Sequence, residues 1–92
     1  MRIYTTAPLE DPREARTTFP ALERAGYDGA FSLEAKHDPF LPLAVAAEHT
    51  TRLQLGTAVA IAFARNPMTL ANLGYDLQVL SGGRFLLGLG TQ

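Results

Sequence analysis

Three times along this chain an acidic or amide residue stands directly before a proline: Asp11–Pro12, Asp38–Pro39 and Asn66–Pro67. Asp and Asn side chains accept hydrogen bonds from the free N–H groups that open a helix. Proline has no N–H to leave unpaired, and its φ is already near the helical value, so it fits the first helical position. Each pair follows a run of apolar and β-branched residues and precedes an apolar stripe at helical spacing. No other feature restricts the fold as strongly, because this device imposes an alternation of strands and helices.

Arg2 to Thr5 is predicted as the first strand. Asp11 caps the first helix and Glu14 completes a capping box. Ala15, Phe19 and Leu22 form its apolar stripe, and Gly26 stops it. Pro20 leaves two possibilities, a kink or a regular helix that begins near Thr18. Gly29 to Leu33 is the second strand, followed by a polar loop from Glu34 to Asp38. Phe40, Leu43, Ala44 and Ala47 make the second helical stripe. Leu53 to Ile61 is the third strand. Leu70, Leu73, Leu77 and Leu80 give the buried face of the third helix, which Gly82 ends. Arg84 to Leu89 is the fourth strand.

The order is βαβαβαβ, with strands recurring roughly every 26 to 30 residues, the length of a βαβ unit. The later strands are continuous apolar runs, which implies parallel strands buried on both faces or closed into a barrel. A doubly wound sheet and a (β/α)8 barrel share this grammar. A dinucleotide fold needs a glycine-rich turn after its first strand, whereas "TAPLEDP" has no glycine.

Composition removes several function classes. With 8 basic and 9 acidic residues spread along 92, there is no basic patch for nucleic acid. There is no cysteine for disulfides or thiolate metal sites. The start has no apolar signal segment, and the longest apolar run, Ala58 to Ala64, is too short to span a bilayer. No His, Asp and Glu cluster has metal-ligand spacing. The expectation is a soluble, cytoplasmic chain with no membrane or nucleic-acid partner.

"RLQLGTAVAIAFARNP", a helix, and then "LSGGRFLLGLGTQ" resemble the luciferase-like monooxygenase superfamily, which includes bacterial luciferase and deazaflavin-dependent oxidoreductases. "ERAGYDGAFSLE" is similar to that family's first-helix-to-second-strand junction. The likeness covers nearly the whole chain and points to the branch using the deazaflavin coenzyme F-420. It implies a TIM barrel, of which residues 1–92 are the N-terminal half, truncated after strand four. That would account for a chain ending at the tip of a buried strand. It also implies an oxidoreductase using coenzyme F-420, or FMN as second choice, for hydride transfer or oxygen activation on a small organic substrate. The alternative is a non-catalytic half-barrel. Either way the chain is expected to form a homo-oligomer or to need the missing C-terminal half.

Active sites of such barrels lie at the C-terminal ends of the strands. The resemblance implies a bulge with a non-proline cis peptide at Ala58–Val59, backing the flavin ring. Ordinary barrel packing also accounts for those small residues. Glu34 and His37 are implied catalytic residues near the reactive face of the cofactor. Histidine as a residue type suits proton transfer near neutral pH. "EAKHDPF" departs from the tighter acid–histidine pair of related enzymes, and His37 also reads as a polar loop residue beside the Asp38 cap. Gly88, Gly90 and Thr91 are implied to lie beside the cofactor, and packing room inside a narrow barrel explains the glycines equally well. Arg65 could add to an anion-favouring helix start, although the Asn66 cap accounts for that segment. Arg84 is expected to be structural, at the opposite end of the strands.

Overall fold

The computed structural model describes residues 1–34, 37–62 and 65–90. Strand β1 is Tyr4–Thr6, followed by a 3-10 turn at Pro12–Glu14 and helix α1 at Ala15–Arg24. Then come β2 (Gly29–Ser32), α2 (Leu41–His49), β3 (Gln54–Thr57) and β4 (Ala60–Ile61). Helix α3 is Pro67–Ser81, and β5 (Phe85–Leu86) and β6 (Leu89–Gly90) close the chain. Strands β1, β2, β3 and β5 form one parallel sheet in that order. Strands β4 and β6 pair in parallel, Ala60 with Leu89 and Ile61 with Gly90. A doubly wound sheet would put β1 in the middle. Here β1 is at one edge, which is the sequential order of the first four strands of a (β/α)8 barrel.

All three predicted caps form. Asp11 accepts from the Arg13 amide at 2.8 Å, and Glu14 reaches back to the Asp11 amide. Asp38 Oδ2 accepts from the amides of Phe40 and Leu41, both at 2.7 Å, so α2 begins later than its Asp-Pro pair suggests. Asn66 Oδ1 accepts from the Met68 amide at 2.8 Å. Helix α1 runs through Pro20 from Ala15, earlier than Thr18. Proline there removes the bond to the Arg16 carbonyl, and Arg16 is exposed, so water can take that place.

The third and fourth strands are each broken once rather than continuous. The Ala58–Val59 peptide bond is cis, at the position the resemblance implied. Opposite it, Thr57 Oγ1 donates to the Gly88 carbonyl at 2.8 Å and accepts from the Gly88 amide at 2.9 Å. These side-chain bonds replace the regular ladder, and the strands resume pairing as β4 and β6.

The three helices cover one face of the sheet. Ala30, Leu55 and Phe85 share a row on that face and are buried under Phe19, Phe40 and Leu43. In α3, Leu70 and Leu77 enter this core, but Leu80 is 45% exposed and Ser81 is buried in its place. The expected four-leucine face is therefore narrower than predicted. The helix lies over the edge strand β5 and has no further sheet to cover on that side. The other face carries Tyr4, Phe31, Gln54 and Leu86. Tyr4 donates to Gln54 Oε1 at 2.9 Å and meets the Phe31 ring edge-on at 5.5 Å. That face stays open, with Tyr4 40% and Leu86 43% exposed.

Arg84 is structural, as expected. Its guanidinium donates to Ser81 O, Thr50 Oγ1, Leu53 O, Ala47 O and Thr50 O, tying α2 and α3 to the start of β3. Glu23, buried on α1, accepts from the amides of Thr51, Arg52 and Leu53. No helix among the described residues is long and apolar enough to cross a membrane.

Candidate functional site

The parallel order carries the ends of β1, β2, β4 and β6 to one rim. Glu34 follows β2 there, with its carboxylate fully engaged. Arg65 Nη1 and Nη2 donate to Glu34 Oε1 and Oε2 at 2.5 and 2.8 Å, a two-pronged pair. The Ile61 amide donates to Oε1 at 2.6 Å, and Arg65 Nη1 also donates to the Ile61 carbonyl at 2.8 Å. The guanidinium lies 5.0 Å from the Phe40 ring centroid, and Asp38 Oδ1 is 3.7 Å away. Both partners are mostly shielded, with side chains 15% and 16% exposed. The Arg65 guanidinium beside it holds the Glu34 carboxyl below the usual carboxylate range, against the opposing effect of burial.

Glu34 therefore stays ionised at neutral pH and ties the end of β2 to β4 and the start of α3. Its partner is Arg65, and His37, the other residue the resemblance implied as catalytic, lies apart from it. The His37 side chain is half exposed, with Nε2 3.8 Å from Glu10 Oε2. It lines a cavity of about 120 Å³ between the loops after β1 and β2, with Ala7, Leu9, Ser32 and Leu33 among its neighbours. A histidine at the edge of a small, mostly apolar hollow can exchange a proton with a ligand held there.

Ala58 and Val59 stand where β3 passes into β4, and Val59 is 44% exposed. Gly88 and Gly90 sit beside them. A Cβ on Gly88 would lie 2.2 Å from the Thr57 carbonyl oxygen, and one on Gly90 would lie 2.6 Å from Val59 Cγ2. Close strand approach thus requires Gly88 without appeal to any ligand. Thr91 lies outside the described residues. Leu33, Leu87 and Leu89 are each about two-fifths exposed along the same rim. Together with Val59 they offer an apolar surface that suits the face of a planar ring.

The sequence reading did not find the partner of Glu34. Arg65 appeared there only as a charge beside a cap, and no local pattern relates it to a residue 31 positions earlier. Among the described residues, no group of three or more His, Cys, Asp or Glu side chains is placed to hold a metal ion.

The family described as luciferase-like monooxygenase matches residues 2–92. An uncharacterized protein of Mycobacterium tuberculosis is 68% identical over 72 residues, 78% of this chain and 21% of that protein. An F-420-dependent glucose-6-phosphate dehydrogenase of Intrasporangium calvum is 36% identical over 91 residues, 87% of this chain and 27% of the enzyme. The coenzyme F-420-dependent tetrahydromethanopterin reductase of Methanopyrus kandleri superposes with a TM-score of 0.88 at 23% identity. That match covers 97% of this chain and 26% of the reductase, and it shows the shared fold. The chain thus spans between a fifth and about a quarter of the length of these relatives.

Proposed function

The chain belongs to the luciferase-like monooxygenase family, and on that premise we propose that it forms the first part of a deazaflavin- or flavin-dependent oxidoreductase. What supports this reading is the parallel strand order, by which His37, Ala58–Val59 and Gly88–Gly90 all follow strands at the end where barrel enzymes react. Coenzyme F-420 is the first choice of cofactor, in keeping with the names of the dehydrogenase and reductase relatives, and FMN is the second.

When bound, such a coenzyme supplies the redox chemistry, hydride transfer or oxygen activation. The protein binds, orients and shields. The Ala58–Val59 backbone and the Val59 and Leu89 side chains form an apolar wall for the ring. Gly88 and Gly90 keep the neighbouring strand end slim enough for close approach. His37 moves a proton to or from a small organic substrate. Glu34 acts through Arg65 and the Ile61 amide, holding β4 in place.

The open sheet face favours a second statement. Tyr4 and Leu86 on that face are 40% and 43% exposed, so residues 1–92 alone do not enclose a ligand. By themselves they act as a non-catalytic half-barrel domain, completed by further chain or by a second copy. The sequence expectation of a cytoplasmic protein goes with this reading.

Titration of F-420 and FMN into the complete protein, followed by fluorescence, tests the proposal. Saturable F-420 binding that weakens on Val59→Asp supports it. Binding of neither coenzyme overturns it.

A further inference from the structure

At the N-terminal end of the sheet, opposite the rim, three arginines line one open hollow of about 290 Å³ with Asp28, Gln54 and Gly83. Arg2 precedes β1, Arg52 precedes β3 and Arg84 precedes β5. Parallel strands necessarily bring those three positions together. The five N–H groups of Arg84 all donate to neutral oxygens, so its charge is fixed in position and not cancelled. Arg52 uses Nη2 on the Glu23 carbonyl at 2.9 Å and keeps its other donors. Arg2 has no hydrogen-bond partner among the described residues.

The nearby acids form no close ion pair with this cluster. Asp28 Oδ2 accepts from the Ile3 amide at 2.7 Å, and the Glu23 carboxylate is turned to the amides of residues 51–53. Among the described residues, none of the three guanidiniums has a carboxylate oxygen within 4.0 Å. Three guanidiniums, Arg84 fixed, Arg52 tethered and Arg2 exposed, therefore line the hollow together with the Asp28 carboxylate.

We propose that this hollow binds a small molecule through a phosphate dianion. Arg84 supplies charge, and Arg2 and Arg52 supply the planar donor forks that match pairs of phosphate oxygens. A phosphate suits the site better than a carboxylate, because its additional oxygens let Arg2 and Arg52 each engage a separate pair. This inference does not depend on the cofactor proposed for the rim.

The test is titration of the protein with inorganic phosphate, at constant ionic strength balanced with sodium chloride, following the Gln54 and Gly83 amide resonances. Saturable shifts are expected, with affinity falling on the order of tenfold in Arg52→Gln and in Arg2→Gln. Arg2 is exposed and makes no hydrogen bond among the described residues, so Arg2→Gln decides the matter if loss of the Arg52 bond to Glu23 disturbs folding. Shifts no larger than those with chloride overturn the site, as does equal binding by Arg2→Gln. Acetate binding as tight as phosphate overturns the phosphate assignment.

Discussion

The Thr57 hydroxyl bridges both polar atoms of the Gly88 backbone, and a methyl group on Gly88 would sit 2.2 Å from the Thr57 carbonyl oxygen. The obstacle is backbone on both sides, so nothing can swing away. Gly88→Ala is expected to destabilise the fold by about 1–3 kcal/mol, the cost of overpacking a tight site. Gly90→Ala meets the exposed Val59 side chain instead, whose rotation costs about 0.5–1.5 kcal/mol. Urea denaturation of both variants checks the ranking. Equal losses would refute it.

Breaking the Glu34–Arg65 pair should be felt in stability and in its pH dependence. Glu34→Gln leaves a shielded guanidinium without its counter-charge, and the expected loss at pH 7 is about 1.5–3 kcal/mol. The folded-state pKa of Glu34 is lowered from the ordinary 4.5. Its contribution is therefore full at neutral pH, starts to fade as pH falls through 4.5, and is gone below the lowered folded value. Wild-type and Glu34→Gln unfolding curves should converge over that acidic window. A constant gap down to the lowest pH would show that the carboxylate charge is not what matters.

His37 separates structure from chemistry. Among the described residues its half-exposed ring makes a single long polar contact, to Glu10, so His37→Asn should change stability by no more than about 0.5 kcal/mol. On the proposed function, the same substitution in the complete protein should lower turnover on the order of a hundredfold and alter the pH–rate profile. An unaltered profile would leave His37 a loop residue beside the Asp38 cap.

The open sheet face should govern behaviour in solution. Tyr4, Phe31 and Leu86 lie on it, and β1 and β5 are edge strands. Exposed apolar faces and free edges promote association. Residues 1–92 are expected to sediment as dimers or larger species at micromolar concentration. Leu86→Lys should shift them toward monomer. A wild-type monomer across that range would contradict this.

Much of the fold was legible before any coordinates, because its determinants are local. A cap is a bond from a side chain to an amide two or three residues on, as at Asp11, Asp38 and Asn66. Left-handed glycines mark helix ends, as at Gly26 and Gly82. Apolar runs marked buried parallel strands. The break in the third strand was legible only through family resemblance, since nothing in "GTAVAI" departs from strand periodicity.

The sequence by itself determined the alternation of capped helices and apolar strands, hence a parallel α/β sheet whose chemistry lies at one end. Tertiary structure decided who meets whom. Glu34 is implied as a catalytic residue by resemblance alone, and only the strand order brings Arg65, 31 residues on, within 2.5 Å of it. Gly88 is open to a cofactor reading and a packing reading alike, and only the fold places Thr57 against it. Arg2, Arg52 and Arg84 read as scattered charges until parallel strands align their N-terminal ends. The physical reason is the same each time. Caps and periodicity act within a few residues, whereas ion pairing and steric contact act wherever the topology brings groups close, at any separation along the chain.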